Sequence, residues 1–181
     1  MLTAAYSDHA MTNIDREELR QADLDALQMD SFAETAFDDL TRAAAEAFGV
    51  PMSSITIMDS DRQWSKSSIG MPDGVMTGAT AFGTLAIETP NELTVIEDTM
   101  LDPRFAATAL VEGGLRFYAA APLTLSTGRP IGVMCVQDTK PHQVDPQKLQ
   151  QLKFMADQVV ATLEARKAAR EFPRRGEEPT E

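Results

Sequence analysis

Two apolar runs stand out in the hydrophobic pattern. Arg116-Phe117-Tyr118-Ala119-Ala120-Ala121-Pro122-Leu123 and Ile131-Gly132-Val133-Met134-Cys135-Val136-Gln137-Asp138 flank a short segment containing Ser126-Thr127-Gly128-Arg129-Pro130. Runs of this length around a Gly-containing turn predict a β-hairpin at the centre of an antiparallel sheet. Upstream, Ile55 and Ile57 alternate with Ser and Thr over Met52 to Asp59, the mark of a half-buried strand. Asp59-Ser60-Asp61 then supplies turn chemistry, and Gln63 to Ile69 reads as the partner strand, closed by Gly70. A further small strand is expected at Leu93 to Glu97, and residues 71–79 read as a glycine-rich loop.

The remaining periodicity is helical. Leu19, Ala22 and Ala26, with Leu24 and Leu27 beside them, predict a helix over Thr12 to Met29, with Thr12-x-x-Asp15 at its start. Ser31-x-x-Glu34 is a second capping-box pattern, followed by Phe37, Leu40, Ala44 and Phe48 at helical spacing. Gly49 should cap that helix and Pro51 stop it. A short helix is predicted over Thr80 to Glu88. Asp102-Pro103 predicts another start, running to Val111, and Gly113-Gly114 should end it. Asp145-Pro146 repeats the signal for a long last helix to about Arg170. Its Leu149, Leu152, Ala156, Val159 and Leu163 recur at 3, 4, 3, 4 spacing, which suits either a dimer seam or packing on the sheet. Hairpin connections without regular strand-helix alternation predict an α+β protein with an antiparallel sheet. The expected organisation is a flexible terminus over 1–14, one domain over 15–170 and a disordered tail over 171–181.

Composition removes several function classes. A net charge of −12 argues against nucleic acid, whose phosphates need clustered cations. Residues 1–50 hold 11 Asp/Glu against 3 Lys/Arg, whereas the region 164–175 is basic, so the two ends could attract within a dimer or simply form solvated helix ends. No apolar run approaches the roughly 20 residues that span a bilayer, so no membrane association is expected. No basic, then apolar, leader opens the chain, and a cytoplasmic location is expected. The lone Cys135 excludes an intrachain disulfide and reads as a buried, inert thiol. His9 and His142, one in the terminus and one in a loop, make no metal centre, so no metal site is expected.

In order along the chain, Phe37-Asp38-Asp39-Leu40-Thr41-Arg42, Asp61-Arg62-Gln63-Trp64 with Lys66, Asp98 with Asp102-Pro103-Arg104-Phe105, Arg116-Phe117-Tyr118-Ala119 through Ala121-Pro122-Leu123, and Ile131 to Val136 with Asp138 form an ordered set of motifs. On these residues, over about 15–166, the chain resembles a GAF domain of the bacterial type found in sensor histidine kinases and nucleotide cyclases. The resemblance implies a PAS-related fold: a central antiparallel sheet of five or six strands with helices on both faces and a pocket on one of them. It also implies small-molecule binding or dimerisation, with signals carried by the terminal helices. The usual Ser-Phe-Cys-Ala-His-Ala-Ile of the pocket helix is Ala81-Phe82-Gly83-Thr84-Leu85-Ala86-Ile87 here, so its polar groups are replaced. Bilin-attachment and cyclic-nucleotide signatures are absent. Free methionine sulfoxide reductases share the fold but cycle through paired cysteines, and Cys135 has no partner.

The sequence thus predicts a sensory or regulatory domain, not an enzyme, with a ligand pocket lined by Trp64, Phe82, Thr84, Tyr118 and Met134. Trp and Tyr offer a flat apolar body with a polar tip, although ordinary core packing explains each position as well. No particular cofactor is indicated. The alternative is a ligand-free dimerisation or interaction module. In either case a homodimer through the terminal helices is expected. Asp98, Asp102 and Asp138 are the acid/base candidates for a catalytic reading, and turn and cap duty accounts for them equally.

Overall fold

A computed structural model of the chain describes residues 13–29, 34–60, 62–71, 75–77, 88–89 and 91–171. Two helices open the fold, α1 (Asn13–Leu27) and α2 (Thr35–Phe48), followed by strands β1 (Met52–Asp59), β2 (Arg62–Ile69), β3 (Val75–Thr77) and β4 (Thr94–Ile96). After the short helix α3 (Ala109–Glu112) come β5 (Phe117–Thr124), β6 (Pro130–Asp138) and the long helix α4 (Pro146–Glu171). One six-stranded sheet results, in the order β3-β2-β1-β6-β5-β4, with every neighbouring pair antiparallel. The predicted hairpin β5–β6 lies inside this sheet, and β6 also pairs with β1.

One sheet face carries α1, α2 and α4. Ile55, Ile57, Phe117, Ala119, Ala121, Leu123, Met134 and Val136 point to it and meet Phe37, Ala44 and Phe48 of α2 and Leu152, Ala156, Val159 and Leu163 of α4. Burying so many apolar side chains is the main favourable contribution to the fold. The opposite face carries a smaller cluster: Ile96, Phe105, Val111, Leu115, Tyr118, Ala120, Val133 and Cys135. Helices therefore flank both faces.

Several expectations are corrected by this arrangement. The stripe on α4 packs into the chain's own core, with Leu152, Ala156 and Val159 fully buried, so those residues cannot serve as a seam between two copies. Opposite charges at the two ends also meet within the chain, where Arg166 binds Glu34, and Arg170 donates to the Leu27 carbonyl at 2.5 Å. Strand β1 is buried on both faces, not one, because Ser53 and Ser54 bond within the sheet. The loop 71–79 contains the edge strand β3. Asp102 accepts from the Arg104 amide at 3.0 Å, but turns follow it, and helix begins only at Ala109. Glu34 is not the third residue of a capping box: it is the N-cap residue of α2, and its carboxylate is engaged by Lys66 and Arg166. In α1 the buried positions are Arg20, Leu24 and Leu27, while Leu19 is exposed. Helix α2 ends as expected, with Gly49 in the left-handed region at φ 68. Among the described residues, no helix is long and apolar enough to cross a membrane. Asn13 and Ile14 of the expected flexible terminus already belong to α1 and Glu171 of the expected tail to α4; the rest of both, and residues 80–87 of the predicted short helix, lie outside the described residues.

Candidate functional site

The pleat decides which side chains share a face, because neighbours in register point the same way. Thr56 pairs with Val133 and Ser54 with Cys135, and Val133 and Cys135 belong to the smaller cluster. Ser65 opposite Thr56, Gln63 opposite Met58, and Gln137 opposite Tyr118 extend that same face. Its floor is therefore polar within an otherwise apolar sheet. Ser54 Oγ lies 3.0 Å from Thr56 Oγ1 and 3.2 Å from Cys135 Sγ, and Gln137 Nε2 donates to Cys135 Sγ at 3.3 Å. Tyr118 is buried beside them.

This floor is electrically neutral. Along β1, β2, β5 and β6, no described residue on this face is Asp, Glu, Lys or Arg. Burial pushes the Tyr118 phenol well above its ordinary value, with the neighbouring Cys135 acting in the same direction. Burial likewise raises the Cys135 thiol, although hydrogen bonds from Ser54 and Gln137 oppose the shift. Both groups stay protonated near neutral pH. Hydroxyl, thiol, phenol and amide together offer donors and acceptors without charge.

Of the five residues expected to line one pocket, the three described ones do not share a face. Tyr118 is on the polar floor. Trp64 is opposite Ile57, and it packs with the main core on the other face. There it lines a cavity of about 420 Å³ with Leu24, Asp25, Gln28, Met29, Asp59 and Arg62. Met134 is fully buried in the same main core. Strand parity separates these two from Tyr118, and no side-chain rotation brings them through the sheet. Phe82 and Thr84 lie outside the described residues. Sequence reasoning missed Ser54, Thr56 and Gln137 because polar alternation in a strand was read as the solvent side. The signal was present: Ser54 and Thr56 sit two apart on one central strand.

A second concavity, about 780 Å³, opens at the β4 edge between Val95–Asp98, Leu101–Arg104 and Pro141–Gln143. Ion pairs surround it. Asp98 accepts Arg116 Nε at 2.9 Å and Nη2 at 2.6 Å, and Asp102 accepts Arg104 Nη2 at 2.6 Å. Those hydrogen bonds hold both carboxyls below their ordinary value. Asp138 Oδ2 lies 2.6 Å from His142 Nε2, and the imidazole sits tilted against the Phe117 ring, centroid to centroid 5.0 Å. Burial pushes Asp138 up, but His142 and the amides of Lys140 and Thr139 outweigh it and leave it lowered. The three acid candidates thus each hold a cationic or imidazole partner. Among the described residues, no group of three or more His, Cys, Asp or Glu could hold a metal ion.

Comparison with known proteins agrees with this architecture. A GAF domain family model matches residues 33–163. A cyclic di-GMP phosphodiesterase of Pseudomonas aeruginosa is 36% identical over 128 residues, 69% of this chain. The match spans only 22% of that relative's length. The blue-light absorbing form of the PixJ GAF domain from Thermosynechococcus elongatus superposes with a TM-score of 0.63 at 13% identity, over 89% of this chain and 94% of that one. The free methionine-R-sulfoxide reductase of Neisseria meningitidis gives 0.61 at 17% identity, over 88% and 96% respectively. The expectation that the chain is not an enzyme is overturned here, because a relative at 36% identity is named as a phosphodiesterase and the fold is shared with a reductase.

Proposed function

Because the chain belongs to the GAF domain family, whose members are generally sensory, we propose that it binds a small uncharged molecule on the polar sheet face and relays occupancy through α4. The observation that carries this reading is the neutral hydrogen-bonding floor of Ser54, Thr56, Tyr118, Cys135 and Gln137. A charged ligand would leave its solvation shell and find no counter-charge on this face of the strands, an unfavourable exchange. A flat neutral molecule can instead stack on Tyr118 and bond the hydroxyls and amide. The phosphodiesterase relative supports a place for such a domain in cyclic di-GMP signalling.

Homodimerisation belongs to the same proposal, but through a different surface from the one the sequence suggested. The outward side of α4 carries Phe154, 64% exposed, beside Gln147, Gln150 and Gln151. An exposed aromatic ringed by uncharged polar groups suits a protein contact in a chain whose net charge of −12 opposes self-association elsewhere. Native mass spectrometry of freshly purified protein tests the ligand. A retained molecule should be reduced by Gln137→Leu or Thr56→Val and kept by Trp64→Phe. Retention lost only in Trp64→Phe would place the site on the other face and refute the reading.

A further inference from the structure

We propose that an ionic latch built on a buried lysine, Lys66–Glu34–Arg166, connects the polar sheet face to the C-terminal half of α4. The inference rests on the reading of that face as a ligand site and names how its occupancy would be transmitted.

The latch begins at an irregularity in the sheet. Ile55 pairs with Ser67 and Thr56 with Ser65, so Lys66 is the extra residue of a β-bulge in β2. A bulge redirects side chains from the regular alternation. Ser65 faces the polar floor, while Lys66, only 2% exposed, reaches the helical side and binds Glu34 at 2.6 Å. Glu34, at the start of α2, also binds Arg166 of α4. Both cations lie over the Phe37 ring, at 5.8 Å for Lys66 and 5.1 Å for Arg166. Ser67, the next residue of β2, donates to Asp38 at 2.6 Å and accepts from Thr41 at 2.9 Å, which fixes the first turns of α2 to the same strand.

This arrangement gives the bulge one neighbour on each side of the sheet. A molecule seated against Ser65 shifts the bulge, and Lys66 cannot follow alone. A buried ammonium separated from its carboxylate is strongly disfavoured, so Glu34 moves with it. Arg166 is then the outermost member, 40% exposed, and it either follows Glu34 or lets go of it. The last turns of α4 are the readout. Their other described ties to the body include Glu164, which accepts from the Ser126 amide at 2.7 Å, Arg170 on the Leu27 carbonyl and the core residue Leu163.

Hydrogen–deuterium exchange on the full chain tests the latch without knowledge of the ligand. Ser65→Met places a bulkier side chain on the floor beside the bulge and serves as the probe. In the otherwise unchanged chain it should alter exchange in the 164–171 segment by roughly tenfold, with strands β5 and β6 unaffected outside the Ser126 turn, whose amide is bonded to Glu164. In Arg166→Gln, whose site is partly exposed and whose fold should survive, that response should vanish. The double variant Glu34→Gln/Lys66→Met removes both inner charges together and should abolish it as well. A response of equal size in all backgrounds, or none in the unchanged chain, overturns the proposal. Failure of the ligand reading looks different: no retained molecule by mass spectrometry while the exchange coupling persists.

Discussion

Replacing Leu152 by Ala separates the two roles that the α4 stripe could play. Leu152 is fully buried between α4 and the sheet, with Ala156 and Val159 on the same side of the helix. Truncating a fully buried Leu removes its transfer free energy and leaves a cavity, together about 2–5 kcal/mol. For a chain of this size each kcal/mol lowers the melting temperature by about 2–4 °C, so the variant should melt about 4–20 °C below the parent. Phe154, on the other side of the same helix and 64% exposed, sets the contrast: Phe154→Ala should change monomer stability by no more than about 0.5 kcal/mol. Urea and thermal unfolding at several protein concentrations provide the assay. If the stripe belongs to the chain's own core, the loss in Leu152→Ala is independent of concentration. A loss that grows on dilution, or a variant of parental stability that changes only its elution volume, would refute this packing, because interface stability depends on concentration.

Three further outcomes follow from specific contacts. A Cβ added at Gly132 would stand 2.1 Å from the Thr56 carbonyl oxygen and 3.1 Å from Ile57 Cα, both backbone atoms. Gly132→Ala must therefore push β6 from β1 and should cost about 1–3 kcal/mol, as overpacking does; an unchanged melting curve would show that the strands part freely. Phe154→Glu should shift a size-exclusion profile from dimer to monomer while leaving the circular dichroism intact, and a dimer that persists in this variant would exclude the outer face of α4 as the contact. The third outcome concerns acid. Arg116 holds Asp98 below its ordinary value of 3.8 in the folded protein, so the pair's stabilisation is fully present above that value and is lost as pH falls through the lower folded value. Asp98→Asn should consequently flatten the acid limb of a stability–pH profile, lying below the parent by a constant amount above about pH 4 and converging with it as pH falls through the lower folded value. Parallel profiles throughout would remove the assigned linkage.

Much of this fold was legible because its elements announce themselves locally. Gly49 and Pro51 stop α2, Asp145-Pro146 starts α4, and the apolar runs of β5 and β6 need both sheet faces covered. What sequence could not supply was the side each residue faces. Trp64 and Tyr118 both look like pocket aromatics, yet strand pairing puts them on opposite faces. The heptad-like stripe of α4 was ambiguous for a related reason: a helix lying on a sheet and a helix lying on its twin need the same apolar spacing. Ion pairs were the least visible. Glu34, Lys66 and Arg166 are far apart in the chain; the bulge turns Lys66 toward Glu34, and the packing of α4 beside α2 brings Arg166 to the same carboxylate.

The most direct test is to screen uniformly labelled protein against neutral heteroaromatic fragments and follow backbone amide shifts. The account predicts that binding fragments move Ser54, Thr56, Tyr118, Cys135 and Gln137 first. Shifts confined to the β4 cleft around His142, or to the outer side of α4, would contradict it.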